Sequence, residues 1–259
     1  MNLKHLILTI LVLLFPTVVF ARKPIVSRPI VLDKNHWMAR VDLDIGLVHG
    51  RSFKDFYFGS HEPLKRESGL VVAYGFARGF EAGLGIEPYV VDRYGKRFGA
   101  VHGHVRARIL KWLSGEVGIS APSWGLFNEN NISKLGLWLG LPLHWEVSRG
   151  SFAVFLRPDL VIGLLPQGQG DPSAQLRVQT DFGMGLNISP QVYLEVAMGY
   201  YQTVHPVRRI KLPVSIAVAY SFKSGIDVRG AVVFWDLHPG LGLGLTHFRG
   251  ISFSLSKYW

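Results

Sequence analysis

Residues 37–49 read WMARVDLDIGLVH, and they decide the fold because an apolar residue stands at nearly every second position. Three charged residues and a glycine occupy most of the positions between them: Arg40, Asp42, Asp44 and Gly46. Side chains alternate across a β-strand with a period of two, so the stretch predicts a strand with one apolar and one polar face. The stretch alone leaves open which face points outward.

Segments of the same kind recur to the last residue and predict about 12 strands. We place them at residues 37–49, 68–77, 80–90, 98–109, 112–121, 135–147, 152–164, 175–186, 192–201, 212–222, 226–236 and 250–259. Most runs have roughly 9–13 residues, the length that crosses a bilayer at a tilt near 45°. Short turns alternate with longer links, which lie at residues 49–67, 91–97, 122–133, 165–174, 202–211 and 237–249. This alternation is typical of a barrel with short turns at one end and long loops at the other.

The composition excludes several classes of protein. The chain has 259 residues, a formal net charge of +10, no cysteine and only 18% charged residues. A charged share below the usual ~25% argues against a disordered chain or a coiled coil. The absence of cysteine excludes disulfides and thiolate metal sites. After the N-terminus, no apolar run reaches the roughly 20 residues that a membrane-spanning helix needs.

Residues 1–21 have the pattern of a secretory signal peptide. Lys4 precedes an apolar run at residues 6–20, and the small residue Ala21 suits signal-peptidase cleavage. We therefore expect Sec-type export and a mature chain that begins at Arg22. An uncleaved membrane anchor is the alternative.

The rest of the chain divides into a short lead-in and one barrel domain. Residues 22–36 contain two prolines and four Lys or Arg residues, and they predict an irregular periplasmic lead-in. Residues 37–259 carry the alternating segments and are predicted to form the barrel. An even number of strands would place both ends of the barrel on the side of the short turns.

The polar faces of the strands decide which way they point. These faces are rich in charge and glycine on strand after strand, and a dry core would bury many ionisable groups, each costly unless paired. Around a water-filled lumen the same groups cost little, so we expect the apolar faces to meet lipid. The residues predicted to line the lumen are Arg40, Asp42, Asp44, Glu81, His102, His104, Arg106, Arg108, Glu116, His144, Glu146, Arg157, Asp159, Arg177, Asp181, Glu195, Asp227 and Arg229.

Aromatic residues on the apolar faces gather beside the short turns. Amphipathic rings at such positions form a girdle where a barrel meets lipid headgroups. The predicted periplasmic girdle consists of Trp37, Phe76, Phe80, Trp145, Phe152, Phe222 and Trp259. We therefore predict an all-β fold, a single transmembrane antiparallel up-and-down β-barrel. The alternative is a soluble secreted barrel or sandwich with its apolar faces inside.

The last segment, ISFSLSKYW at residues 251–259, resembles the C-terminal signal of bacterial outer-membrane β-barrel proteins. That signal ends on Phe or Trp and has apolar residues at alternate positions before it. Trp259, Leu255, Phe253 and Ile251 match this pattern, and Lys257 stands where an apolar residue is usual. The resemblance implies a Gram-negative outer membrane and insertion by the barrel-assembly machinery through the last strand.

The run HGHVRAR at residues 102–108 places two histidines and two arginines on one face of a strand. Two histidines at i and i+2 can share a metal ion. No clear third ligand is near, so we favour a basic stripe and predict no metal and no cofactor. Its expected partners are acidic residues of the neighbouring strands: Glu81, Glu87 and Glu116.

Three functions remain open, and a narrow porin-like channel for small polar or charged solutes is the one we favour. Cations clustered on one wall of a lumen and acids on another would orient such a solute by a transverse field. The second is a structural barrel that contacts lipopolysaccharide phosphates through cations of the long links: Arg51, Lys54, Lys65, Arg66, Arg93, Lys96, Arg97, Arg208 and Arg209.

The third function is an outer-membrane lipid ester hydrolase. It needs a serine polarised by a histidine, and the candidates are His49 and Ser52. Outer-membrane lipid hydrolases usually show His and Ser two residues apart, and this sequence lacks that spacing. No Gly-rich phosphate loop or aromatic-interleaved basic stripe supports a nucleic-acid partner.

Overall fold

A computed structural model describes residues 24–48, 55–57, 69–87, 90–92, 95–97, 100–121, 133–166, 174–205, 209–234 and 248–259. These residues form one turn of 3-10 helix, Ile25–Ser27, and a single sheet of seventeen strands. Among them, no helix is both long and apolar enough to cross a membrane.

The strands follow one another along the chain, some separated by short turns and others by longer links. They are β1 (Trp37–Val48), β2 (Asp55–Tyr57), β3 (Leu70–Ala77), β4 (Phe80–Ile86), β5 (Val90–Asp92), β6 (Gly95–Arg97), β7 (Val101–Leu110), β8 (Leu113–Ala121), β9 (Ser133–Gly140), β10 (Leu143–Ser148), β11 (Phe152–Pro166), β12 (Ala174–Asn187), β13 (Val192–His205), β14 (Arg209–Lys211), β15 (Val214–Ser221), β16 (Ile226–Phe234) and β17 (Phe248–Tyr258).

The sheet closes into a barrel because the first strand pairs with the last. Met38 stands opposite Tyr258, and the antiparallel register continues to Val48 opposite Phe248. Twelve strands form the wall, with β9 and β10 together as one of them and β14 and β15 together as another. The short strands β2, β5 and β6 pair with one another or with the long-loop end of β1. The predicted closed antiparallel barrel of about 12 strands is confirmed.

Proline interrupts two wall strands of the described barrel. One of the two interruptions divides the segment that was predicted as a single strand at residues 135–147. Pro142 has no N–H to donate to the ladder, so β9 ends at Gly140 and β10 begins at Leu143. Pro213 separates β14 from β15 in the same way. The carbonyl groups of both prolines still accept hydrogen bonds. Ser114 N donates to the Pro142 carbonyl at 2.9 Å, and Gly199 N donates to the Pro213 carbonyl at 2.7 Å.

The long links also contain strands that the sequence pattern does not predict. Strands β2, β6 and β14 lie within the links at 49–67, 91–97 and 202–211, and β5 begins at Val90 and enters the second of these. Each has only three residues, which is too short for a period of two to be recognised.

The apolar faces of the strands point outward. Ile216 and Val218 on β15 are 48% and 52% exposed, whereas Ala217 between them is 1% exposed. Charged residues show the opposite behaviour, and Asp42 and Asp181 are both 0% exposed. An apolar exterior around a polar interior is the side-chain distribution of a transmembrane barrel. It does not fit the alternative of a soluble barrel with an apolar interior.

Candidate functional site

The ionisable residues predicted to line the lumen are all buried or half-buried in the described wall. Ten of them are buried: Asp42, Asp44, Glu81, His102, His104, Glu116, Arg157, Asp159, Asp181 and Asp227. The other eight are half-buried: Arg40, Arg106, Arg108, His144, Glu146, Arg177, Glu195 and Arg229. Because water reaches so few of these groups, their partners within the protein decide what the interior can do.

The carboxylate of Glu116 on β8 is the centre of a buried charge network. It accepts hydrogen bonds from Arg106 Nε on β7 at 2.7 Å, from Trp138 Nε1 on β9 at 2.6 Å and from Arg157 Nη2 on β11. Arg106 stands directly opposite Glu116 in the antiparallel register. A carboxylate shared by two guanidinium groups and an indole has all its lone pairs engaged.

The network continues from Glu116 to both sides. Arg106 Nη1 also donates to Glu81 Oε1 on β4 at 3.1 Å, and His104 Nε2 lies 3.0 Å from the same oxygen. On the other side, Arg157 Nε donates to Asp159 Oδ2 at 3.1 Å. We call the seven residues of this chain of contacts the charge network: Glu81, His104, Arg106, Glu116, Trp138, Arg157 and Asp159.

Opposite charges are paired within the described wall and are not segregated onto two walls. His102 Nε2 lies 3.4 Å from Glu87 Oε1, so both histidines of the basic stripe face acids of the neighbouring strand. Across the barrel, Arg229 Nη2 donates to Glu195 Oε1 at 2.7 Å. The transverse field expected from segregated charges is therefore weak among these residues, because each pair cancels most of its own field.

Glycine makes room for the large side chains of the interior. Gly118 stands opposite Trp138 in the register, and a Cβ placed on Gly118 would lie 2.0 Å from the indole ring. The missing side chain lets the indole lie flat along the wall and reach Glu116.

We expect Gly118→Ala to displace Trp138, to break its hydrogen bond to Glu116, and to lower the free energy of unfolding by about 1–3 kcal/mol. Urea unfolding of the barrel in lipid vesicles, followed by tryptophan fluorescence, measures the change. Gly103→Ala is the matched control, because the nearest atom to its Cβ is 3.7 Å away. Equal effects of the two substitutions would contradict the packing argument.

Residues 24–36 cross the short-turn end of the barrel, and we call them the strap. On one side, Val26 N donates to Asn187 Oδ1 at 3.3 Å and Ser27 Oγ donates to Glu146 Oε1 at 2.6 Å. The fully buried Val26 side chain packs with Ala153, Tyr193 and Ala219 of the wall. The strap thereby contacts β10, β11, β12, β13 and β15.

The strap also reaches the opposite side of the wall. Arg106 Nη1 donates to the carbonyl of Ile30 at 2.9 Å, Arg108 Nη2 donates to that of Val31 at 2.8 Å, and Leu32 N donates to Glu81 Oε2 at 2.7 Å. These contacts are to β4 and β7, which lie across the closed barrel from β15 and β16. The strap therefore crosses the mouth of the barrel from one side to the other and is not a strand of the wall.

The period-two pattern does not predict the strap, but a different signal in the sequence marks it. The tripeptide PIV occurs at residues 24–26 and again at residues 29–31. Both valines, Val26 and Val31, are 0% exposed. A solvated lead-in has no physical need for four β-branched apolar residues, so the repeat could have indicated a segment that packs against the barrel.

A cavity of about 260 Å³ lies between the strap and the charge network. Ile30 of the strap lines one side, and Arg40, Glu81, Arg106 and Arg157 of the wall line the other. The cavity therefore offers cationic and anionic groups together with an apolar surface.

The aromatic residues of the predicted girdle lie beside the short turns. Five of them are exposed, namely Trp37, Phe76, Phe80, Trp145 and Phe222, and two are half-buried, Phe152 and Trp259. Trp37 stacks on Tyr74 with ring centroids 4.2 Å apart. Contact of these rings with lipid headgroups stays a prediction.

The candidates for ester hydrolysis, His49 and Ser52, lie outside the described residues. Within the described part of the chain, no three His, Asp or Glu side chains are grouped so as to hold a metal ion.

Known proteins share the architecture of this barrel at low sequence identity. No protein-family model matches the sequence, and no curated protein matches it. The NanC porin superposes with a TM-score of 0.54 at 10% identity, covering 84% of this chain and 97% of the porin. An outer-membrane channel from Pseudomonas putida F1 superposes with a TM-score of 0.53 at 11% identity, covering 93% of this chain and 100% of the channel. The chain thus has the fold of bacterial outer-membrane β-barrels.

Proposed function

We propose that the chain is a bacterial outer-membrane barrel that passes small polar or charged solutes through a narrow lumen. The observation that carries the proposal is the charge network inside a closed wall whose exterior is apolar. Ionisable groups in that number are costly in a dry core, whereas along a solute path they replace part of the solute's hydration. The two similar solved structures are a porin and a channel, which supports the same reading.

Large aromatic side chains fill part of the interior of the described barrel, which supports a narrow lumen. Trp138, Tyr193 and Tyr201 all occupy it and are each at most 5% exposed. The cavity of about 260 Å³ lies below the range of about 300–1,000 Å³ that is typical of drug-sized ligands. We therefore propose solutes no larger than a monosaccharide or an amino acid.

The single-channel current of the full barrel in a planar bilayer tests the proposal. We expect small, discrete conductance steps with weak preference between K⁺ and Cl⁻, because the interior charges are paired. Heat-denatured protein added to the same bilayer is the control. Currents that strongly favour one ion would contradict the paired interior described above.

A barrel without a conducting pore is the second candidate, and the burial of the interior favours it. Asp42, Asp181 and Ser215 are at most 1% exposed, so water hardly reaches the described wall around them. A silent barrel at every voltage, in the full chain and in variants with a released strap, would support this candidate and remove the channel.

The cellular setting is part of the same proposal. Export by the signal peptide at residues 1–21 and insertion by the barrel-assembly machinery through residues 251–259 would place the short turns in the periplasm. The loop cations proposed to contact lipopolysaccharide have side chains outside the described part of the structure. Reduced outer-membrane fractionation of Trp259→Ala would support the assembly step, because this change alters the C-terminal signal but leaves the backbone pairing of β17 with β1 in place.

A further inference from the structure

The side chain of Arg28 in the strap contacts three residues of the barrel wall. Its Nη1 and Nη2 atoms donate to the two oxygens of Asp227, and Nη2 also donates to Ser221 Oγ at 2.8 Å. The guanidinium carbon lies 5.0 Å from the ring centroid of Tyr258. The site thus combines a bidentate carboxylate, a hydroxyl acceptor and an aromatic face.

Each part of this site suits a guanidinium better than an ammonium. A planar fork can engage both carboxylate oxygens at once and lie against a ring, whereas an ammonium is a compact and strongly hydrated point charge. The side chains of Asp227 and Arg28 are only 8% and 15% exposed, so the carboxylate needs a cation near it.

We propose that Asp227, Ser221 and Tyr258 form a guanidinium-binding site and that Arg28 fills it to hold the strap across the mouth. Guanidinium-bearing solutes then compete with Arg28 for this site and release the strap. The binding site stands on its own geometry, while the release of the strap rests on the proposed channel function. A ligand that binds only when Arg28 leaves must shift the strap toward the released state, since binding and release are thermodynamically linked.

The other contacts of the strap make Arg28 the point of control. Toward β4 and β7, the strap offers the backbone atoms Ile30 O, Val31 O and Leu32 N, and the side chain of Asp33, which is 52% exposed and lies 3.4 Å from Arg108 Nη2. Arg28 forms an ion pair with Asp227 of the wall that is less exposed than the pair of Asp33 with Arg108. Losing that ion pair removes a bidentate charged contact between the strap and β16.

Binding of methylguanidinium to the purified full barrel, measured by isothermal titration calorimetry, tests the site directly. We expect saturable binding to Arg28→Gln at least tenfold tighter than to the unchanged barrel, where Arg28 competes. Asp227→Asn in the Arg28→Gln background should abolish binding, and Ser221→Ala there should weaken it roughly fivefold. Methylammonium should bind more weakly than methylguanidinium. No binding to Arg28→Gln, or binding that survives Asp227→Asn, overturns the site.

Single-channel recording then tests the control of the strap. Arg28→Gln should raise the open probability, and methylguanidinium on the short-turn side should raise it in the unchanged barrel. Lys34→Gln is the matched control, because Lys34 is an exposed cation of the same strap. Open probabilities that do not differ between Arg28→Gln and Lys34→Gln overturn the release of the strap. A silent Arg28→Gln barrel that still binds methylguanidinium keeps the site and instead rejects the channel.

If the Asp227→Asn variant does not fold, the Ser221→Ala variant still tests the proposal. Folding of every variant is checked by gel electrophoresis, because a closed barrel migrates differently before heating than after heating. Slow unfolding of the closed barrel is the second check. Ser221→Ala leaves the carboxylate in place, so an unchanged methylguanidinium affinity in that variant would also count against the site.

Discussion

Replacing Glu116 with glutamine is expected to lower the free energy of unfolding of the barrel by about 3–5 kcal/mol. Glutamine keeps the shape of the side chain but removes its charge, so Arg106 and Arg157 lose the carboxylate that they share. Glu116 is 4% exposed, and water can replace little of the lost interaction. Urea titration of the barrel in lipid vesicles measures the change. Because Trp138 donates to Glu116, the fluorescence of that indole also reports the site itself.

Two comparisons separate the network from a general effect of losing charge. Glu195→Gln removes the carboxylate that pairs with Arg229, and both of those side chains are more exposed than Glu116. Its cost should be smaller, because more water reaches this pair than reaches Glu116. Conversely, replacing Glu116, Arg106 and Arg157 together with Glu81 and Asp159 by apolar residues of similar volume should restore much of the stability, because no carboxylate of the network then stays buried without its cation. A cost of Glu116→Gln no larger than that of Glu195→Gln would contradict the central role of Glu116.

The wall of the barrel is predictable from sequence because strand alternation is a local property. Leu139 and Ile216 are apolar at positions that alternate with polar or small residues, and this local pattern is enough to assign their faces. The break at Pro142 is only partly predictable, because proline disfavours a wall strand but β11 continues without a break through Pro158. The three-residue strands beyond the long-loop end depend on pairing with distant segments, and no local pattern indicates them.

The charge network is only partly predictable for the same reason. Glu81 and Glu116 belong to the hairpin neighbours of β7, so their pairing with Arg106 follows from strand order. Arg157 reaches Glu116 across β9, and sequence gives no measure of that distance. Gly140 makes this reach feasible, because it stands opposite both Glu116 and Asp159 and leaves the space between them open.

The strap and the charge network are parts of one arrangement at the short-turn end. Arg106 belongs to both, because its Nη1 atom donates to Glu81 of the wall and to the carbonyl of Ile30 in the strap. A change that moves Arg106 therefore alters the mouth as well as the wall. Glu116→Gln should for this reason change the open probability of the barrel in the same bilayer recordings that test Arg28.

Replacing Ile216 with arginine is expected to cost about 2–4 kcal/mol of unfolding free energy in lipid vesicles, with a smaller cost of about 0–1 kcal/mol for the same change near the membrane interface. Ile216 stands between Val196 and Val232 on adjacent strands, and all three apolar side chains are exposed on the outer face. Ile210, also exposed but nearer the long-loop end of the same wall strand, provides the shallow control.

The dependence of the arginine substitution's stability cost on membrane depth distinguishes lipid from water around this barrel. In water, an arginine at a position that is 48% exposed would change stability little. In hydrocarbon, the charge at the middle of the band cannot easily reach a headgroup, whereas one at Ile210 can extend to the interface. Ile216→Leu controls for the loss of shape, since it keeps the position apolar. Equal stabilities of Ile216→Arg and Ile210→Arg in vesicles would mean that this face does not cross a membrane, and the proposed channel would lose its physical basis.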